Sequence, residues 1–246
     1  MELNNNNYYS TDANLEYFSV SQYKDFMHCE AMAMAKIKGI FKQQITKPLL
    51  IGSFVDSYFE GTLPIFMKEN PGIFTRKSEL RSEFNKANEI ISRVKSDPSF
   101  MKFMNGEKQK ILTFELFGFK WKIKMDSYVE NICITDLKVV ANFKSLISWR
   151  YDLQGAIYQK GVSITIGKTL PFYLAVATKE RVTDFDIFQI TQPDLDAALE
   201  EISQNISHYN DVKSGNVPPV HCGVCDYCKS IKKATIRNYR ELMEVR

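Results

Sequence analysis

The sequence predicts a single α/β domain in which a mixed central sheet is flanked by helices. Three observations carry that reading. Apolar residues recur at three- and four-residue spacing as far as Pro98, they alternate from Lys110 onward, and a helix, two strands and a long helix then follow before Pro218. No internal repeat appears in the 246 residues, and no linker long enough to divide them is visible. A chain of this length can bury a sizeable core, and its ordinary globular composition excludes wholesale disorder. Lys and Arg number 32 against 29 Asp and Glu, and the formal charge of +3 permits an anionic partner without demanding one. No run approaches the roughly 20 apolar residues of a membrane span. The opening MELNNNNYYS lacks the basic and apolar regions of a secretory signal, so the expected location is the cytoplasm, away from membranes.

In chain order, residues 1–15, with their four consecutive Asn, read as a loose polar arm. A helix capped by Ser19 or Ser21 is expected to run to Gly39, with Cys29 at its middle. Leu50, Phe54, Tyr58 and Phe59 predict a second amphipathic helix from Ile51 to Gly61. Residues 77–97 read as a charged surface helix with Leu80, Phe84, Ala87, Ile91 and Val94 inward, and Asp97-Pro98 ends it and starts a short further turn. Residues 111–140 read as a meander of strands turning at Gly118 and around Glu130 and Asn131. Residues 145–167 are helical again, with Gln154 and Tyr158 on one face. Strands over 170–179 and 184–191 and a helix over 192–215 follow. The chain ends in a cysteine cluster at 222–228 and a basic helical tail over 229–246.

Alternation in GFKWKIKMD places Phe119, Trp121, Ile123 and Met125 on one face, and Lys120, Lys122, Lys124 and Asp126 on the other. In the next strand Ile132, Ile134, Asp136 and Lys138 share a face that begins apolar and becomes charged. Charges led up to by buried neighbours must be paired or bind metal. One alternative is a salt bridge at a sheet edge. The other is metal-assisted phosphodiester hydrolysis, in which Asp126 and Asp136 hold Mg²⁺ and Lys138 orients water or offsets developing charge.

These residues resemble the PD-(D/E)XK nuclease superfamily: Asp126 is the first acid, and DLK at Asp136 to Lys138, ten residues on, is the (D/E)XK triplet. LLIGSFVDSYFEG resembles the upstream helix motif of the RecB-like and RecE-like branches, and QGAIY at Gln154 to Tyr158 matches their QxxxY motif. The similarity is closest to phage and prophage exonucleases of the RecE-like, exodeoxyribonuclease VIII type. It implies a restriction-endonuclease-like core, Mg²⁺ or Mn²⁺ at Asp56, Asp126, Asp136 and Leu137, and support from Glu60, Gln154 and Tyr158. Asp56 stands where many relatives carry a histidine, and its oxygen suits a hard cation. Asp56 and Glu60, one helical turn apart, could otherwise be plain helix surface.

Cys222, Cys225 and Cys228 form a C-x2-C-x2-C run, and Cys29 offers a fourth thiol. Such spacing holds either a tetrahedral Zn²⁺ or a [4Fe-4S] cluster. RecB-like nucleases with an iron–sulphur cluster, AddB and the CRISPR-associated exonucleases among them, similarly take one cysteine from before the core and three from after it. The resemblance therefore favours [4Fe-4S], while His28 and His221, each beside a cysteine, keep zinc open. Cys133 reads as a small core residue.

The implied partner is DNA, approached along Lys120, Lys122, Lys124, Lys144 and Arg150. By resemblance the activity is 5′ to 3′ resection of duplex ends, with a single-strand annealing protein as a partner and a homo-oligomeric ring as the assembly. A nuclease of single strands, as in CRISPR adaptation, and a catalytically idle DNA-binding module are the competing readings.

Overall fold

The computed structural model describes residues 1–236 and 238–240. Helices α1 (Thr11–Glu16), α2 (Val20–His28), α3 (Glu30–Ile37), α4 (Lys47–Glu60), α5 (Leu63–Glu69), α6 (Asn85–Lys95) and α7 (Pro98–Met104) precede the strands. Strands β1 (Lys110–Leu116), β2 (Phe119–Met125), β3 (Ser127–Val129) and β4 (Cys133–Val140) come next. They are followed by α8 (Tyr151–Ile166), β5 (Phe172–Thr178), β6 (Phe185–Gln189), α9 (Gln192–Ser214) and α10 (Asp226–Ser230).

The main sheet is mixed, in the order β3-β4-β5-β6, with β4 and β5 parallel and the outer pairs antiparallel. A parallel pair needs a long crossover, and α8 supplies it. Strands β1 and β2 form a separate antiparallel ladder, turned by Phe117 and Gly118, both at positive φ. A single residue, Asp126, carries the chain from β2 into β3. The hairpin and the main sheet therefore meet at the first predicted acid.

Alternation along β4 and β5 gives the sheet two apolar faces. Ile134, Leu174 and Val176 pack with Leu153 and Ile157 of α8 and Ile202 of α9. Leu137, Ala175 and Ala177 pack with Phe54 of α4, Ile90 of α6 and Phe100 of α7. Burial on both faces explains why β5 is apolar nearly throughout, FYLAVAT.

Several boundaries differ from the sequence expectation. The helix predicted across Cys29 is two helices, because Cys29 is extended at φ −168 and ψ 112. It closes α2 through its N–H to Asp25 and opens α3 through its carbonyl to Ala33. Helix α4 begins at Lys47, with Pro48 in its first turn. The charged helix starts only at Asn85, after a 3-10 turn over Ser82–Phe84, since Leu80 bridges back to Phe74. Asp97 caps α7 as expected, accepting from the Phe100 N–H at 2.8 Å. A 3-10 segment, Phe143–Trp149, precedes α8, and Arg150 turns between them at φ 49. The tail is not helical over 231–236, and residues 237 and 241–246 lie outside the described residues. Among the described residues no helix is long and apolar enough to cross a membrane.

The N-terminal arm is packed rather than loose. Tyr8 is buried, and the Lys122 ammonium, itself buried, donates to the Tyr8 carbonyl at 2.5 Å and to Asn14 Oδ1 at 2.7 Å. A buried ammonium must find acceptors, and the polar arm provides them.

Close approach of α8 to the sheet depends on small residues. A Cβ at Gly161 would lie 2.3 Å from the Phe114 ring, inside van der Waals contact. Gly161→Ala is expected to lower the unfolding free energy by about 1–3 kcal/mol, as overpacking does. Denaturant melts of the two proteins measure it, and an unchanged midpoint would show that the helix can shift freely.

Candidate active site

Asp126 sits at the bend between the two ladders, and its Oδ2 accepts from the Leu137 N–H at 2.9 Å. Asp136 lies on β4, is 2% exposed, and is held at both oxygens. Gln154 of α8 donates to Oδ1 at 2.7 Å, and the Lys138 ammonium pairs with Oδ2. The alternation of β4 puts Asp136 and Lys138 on the α8 side, which is why the QxxxY face of that helix meets them. Asp56 and Glu60 come from α4, across the sheet edge. Asp56, Phe59, Glu60, Met104, Asp126 and Leu137 line one small cavity.

Asp56 Oδ1 is buried and has no hydrogen-bond partner. Burial pushes the Asp56 pKa up from 3.8 to about 7, with Glu60 and Asp136 adding to the rise and Lys138 opposing it. Asp126 is likewise pushed well above the usual carboxylate range, by burial first and then by Asp136, against the pull of Lys138. Burial alone would lower Lys138, but the carboxylates of Asp136 and Asp126 outweigh it and hold its pKa above the ordinary value. Lys108 and Lys124 also act on Asp126, and Lys179 on Asp56, yet both acids still stand above the usual carboxylate range.

Tyr158 does not touch the acids by hydrogen bond; its hydroxyl donates to the Lys124 carbonyl at 2.9 Å and so ties α8 to β2. It lines a cleft with Gln154, Lys138, Lys24, Tyr8 and Tyr9. The basic approach expected along β2 is taken up within the chain. Lys120 pairs with Glu16 at 2.9 Å, Lys122 is buried under the arm, and Lys124 lies 4.7 Å from the Tyr9 ring. Arg150 is ion-paired with Asp152 and Glu201, while Lys144 is exposed.

Sequence reasoning missed three contributors. Gln109 sits in the left-handed region at φ 53, buried, and donates to Glu60 Oε1 at 2.8 Å and toward Asp126 Oδ1 at 3.5 Å. Lys24 of α2 donates to the Trp149 carbonyl at 2.7 Å, and burial, with Lys138 nearby, pushes its pKa down to about 8. Tyr151 places its ring 5.1 Å from the Lys138 ammonium. No pattern marks Gln109 or Lys24, whereas Tyr151 stands three residues before Gln154 and so faces the same way.

At the other end of α2, Cys29, Cys222, Cys225 and Cys228 come together with all four sulphurs within 4.8 Å of one another. Cys133 stands apart in β4, its sulphur 3.8 Å from Thr135 Oγ1, as packing predicts.

Comparison with known proteins follows the same outline. A crystal structure from Eubacterium rectale, described as that of a candidate exonuclease, is 42% identical, with a TM-score of 0.95, and the match covers 100% of this chain and 99% of that one. A second structure, of SSO0001, is 14% identical over 93% of this chain and 98% of that one, at a TM-score of 0.37 too low to carry weight. No functionally curated protein matches. Residues 19–231 match the model of a PDDEXK-like domain of unknown function, DUF3799, a span that holds Asp56, Glu60, Asp126, Asp136 and all five cysteines. The chain belongs to this PDDEXK-like family.

Proposed function

We propose that the protein is a divalent-metal-dependent deoxyribonuclease that cleaves at DNA ends. The observation that carries this is a small cavity lined by Asp56, Glu60 and Asp126, together with a buried Asp56 Oδ1 that has no hydrogen-bond partner. An orphaned buried carboxylate oxygen among further carboxylates is stable when a cation supplies the missing charge. The donors are all hard oxygens, which fits Mg²⁺ or Mn²⁺. Asp56, Asp126 and Asp136 would hold the ion, with the Leu137 main chain beside them and Glu60 in support. When bound, such an ion polarises a phosphoryl oxygen and lowers the pKa of water.

The chain's own groups do the rest. Gln154 fixes the rotamer of Asp136 through its amide, leaving the carboxylate edge toward Lys138. Lys138, held protonated by its two acids, donates to the attacking water or to phosphate oxygens as negative charge develops. Gln109 steadies Glu60 and Asp126 against each other. Action at ends rests on the description of the Eubacterium rectale protein and on resemblance. So do 5′ to 3′ polarity, a role in phage-type recombination, an annealing partner and a ring assembly.

Asp126→Asn, Asp136→Asn and Lys138→Ala should each lower nucleotide release from an end-labelled duplex in Mg²⁺ by at least about 100-fold. Melting curves confirm that the fold survives. Full activity in Asp136→Asn would overturn the reading, and equal rates on closed circles and linear duplex would remove the end requirement.

Asp56 gives a separate readout. Without divalent cation its folded pKa of about 7 exceeds the ordinary 3.8, so the folded state binds this proton more tightly than the unfolded state does. Its contribution to stability is full below about pH 4 and is lost as pH rises through about 7. The melting-temperature difference between wild type and Asp56→Asn should therefore shift against wild type across that window in EDTA, and Mg²⁺ at pH 8 should restore it. A difference constant with pH, and blind to Mg²⁺, would count against Asp56 as a cation ligand.

A further inference from the structure

We infer that the four cysteines hold a single tetrahedral zinc ion rather than an iron–sulphur cluster. The inference does not rest on the nuclease reading; it rests on sulphur geometry. Cys29 Sγ lies 3.6 Å from Cys228 Sγ, Cys222 Sγ lies 4.0 Å from the same atom, and all four sulphurs fall within 4.8 Å of one another. Four thiolates at about 2.3 Å from one zinc stand about 3.8 Å apart, because a tetrahedron's edge is about 1.6 times its centre-to-vertex distance. A [4Fe-4S] cubane binds each cysteine through a different iron at its corners, which spreads the four sulphurs to about 6 Å. The sulphurs stand at the spacing of the smaller tetrahedron and closer together than a cubane would hold them, so the cluster favoured by the sequence resemblance does not match this arrangement.

The backbone around the site fits a thiolate shell. The Cys225 N–H points at Cys222 Sγ at 3.3 Å, and the Cys228 N–H at Cys225 Sγ at 3.4 Å. Amides aimed at sulphur disperse the excess negative charge that four thiolates leave around a divalent ion. His221 Nδ1 lies 3.7 Å from Cys228 Sγ, so this histidine borders the sulphur shell while the four thiols already supply four ligands. Cys29 reaches the site only because the helix breaks there. The break is also fastened by protein bonds, Ala31 N–H to the Val220 carbonyl at 3.1 Å and Val220 N–H to Glu30 Oε2 at 2.8 Å. The zinc would lock together two segments some 190 residues apart that are already in register.

The test uses the full chain, expressed with both iron and zinc supplied and purified without oxygen. Elemental analysis should return about one zinc per chain and less than a tenth as much iron, with a colourless protein. Cobalt added to metal-stripped protein should give the visible bands of a tetrahedral thiolate site. Cys228→Ser should lose at least nine-tenths of the zinc, and stripping zinc from wild type should lower the melting temperature by at least about 5 °C. Should Cys228→Ser not fold, Cys222→Ser, at the more exposed ligand, gives the same readout through weakened zinc retention against a chelator. Brown protein with iron and acid-labile sulphide in equal amounts would overturn the inference, and so would chains with no metal. Asp136→Asn must keep its zinc, so loss of nuclease activity and loss of this site are read separately.

Discussion

The Asp136–Lys138 ion pair inside the main sheet is the interaction on which the rest of the structure depends. Asp136 is buried and Lys138 half-buried, and a charge taken out of water costs several kcal/mol unless partners offset it. The surroundings supply several such partners. Gln154 takes the second oxygen of Asp136, the Leu137 N–H takes an oxygen of Asp126, and the Tyr151 ring lies beside the ammonium. Helix α8 must lie close enough for Gln154 to reach, which in turn requires glycine at 155 and 161, where a Cβ would strike Phe172 and Leu195 or Phe114. Packing of the helix on the sheet is therefore part of the site.

What the sequence revealed was whatever depends on strand alternation. Period two put Asp136 and Lys138 on one face of β4, and the same face in the folded chain carries Ile134 and looks onto α8. Asp126 was legible because lysines led up to it, and the ten-residue spacing to Asp136 is one hairpin turn. Helix boundaries were less legible where a single residue overrides a continuous pattern. Nothing in the apolar period of residues 20–37 shows the break at Cys29, since its neighbours are good helix formers; the extended conformation is bound up with where the thiol must go. Gln109 was invisible for a similar reason: its left-handed φ and its reach to Glu60 come from the turn into β1.

The N-terminal arm shows composition misleading in a specific way. Four asparagines outweigh two tyrosines when a segment is read in one dimension, and so the arm reads as solvated. In the fold the asparagine-rich turn delivers a main-chain carbonyl to the buried Lys122, and the tyrosines lie over Lys122 and Lys124. The lysine row of β2 is thus neutralised by acceptors and ring faces within the chain. Lys138 and Lys24, both close to Asp136, bring further positive charge to the cleft.

Lys24 also connects the two ends of the molecule. It sits on α2, whose first turn is capped by Ser19 and whose last residue precedes Cys29. Its ammonium donates to the Trp149 carbonyl just before the turn into α8, and its ring contact is Tyr151, the residue that also stacks near Lys138. One short helix thus runs from the cysteine site to the cleft. A helix of nine residues is marginal by itself, and its stability comes from being fixed at its ends and along its buried face. Tyr23 and Phe26 anchor that face against Tyr209 of α9. Just past its C-terminal end, where the backbone leaves helical geometry, the Ala31 N–H bonds the Val220 carbonyl and the Val220 N–H bonds Glu30. Lys24 therefore sits on a helix fixed along its buried face and just past its end, with its ammonium held by the Trp149 carbonyl beside the acids.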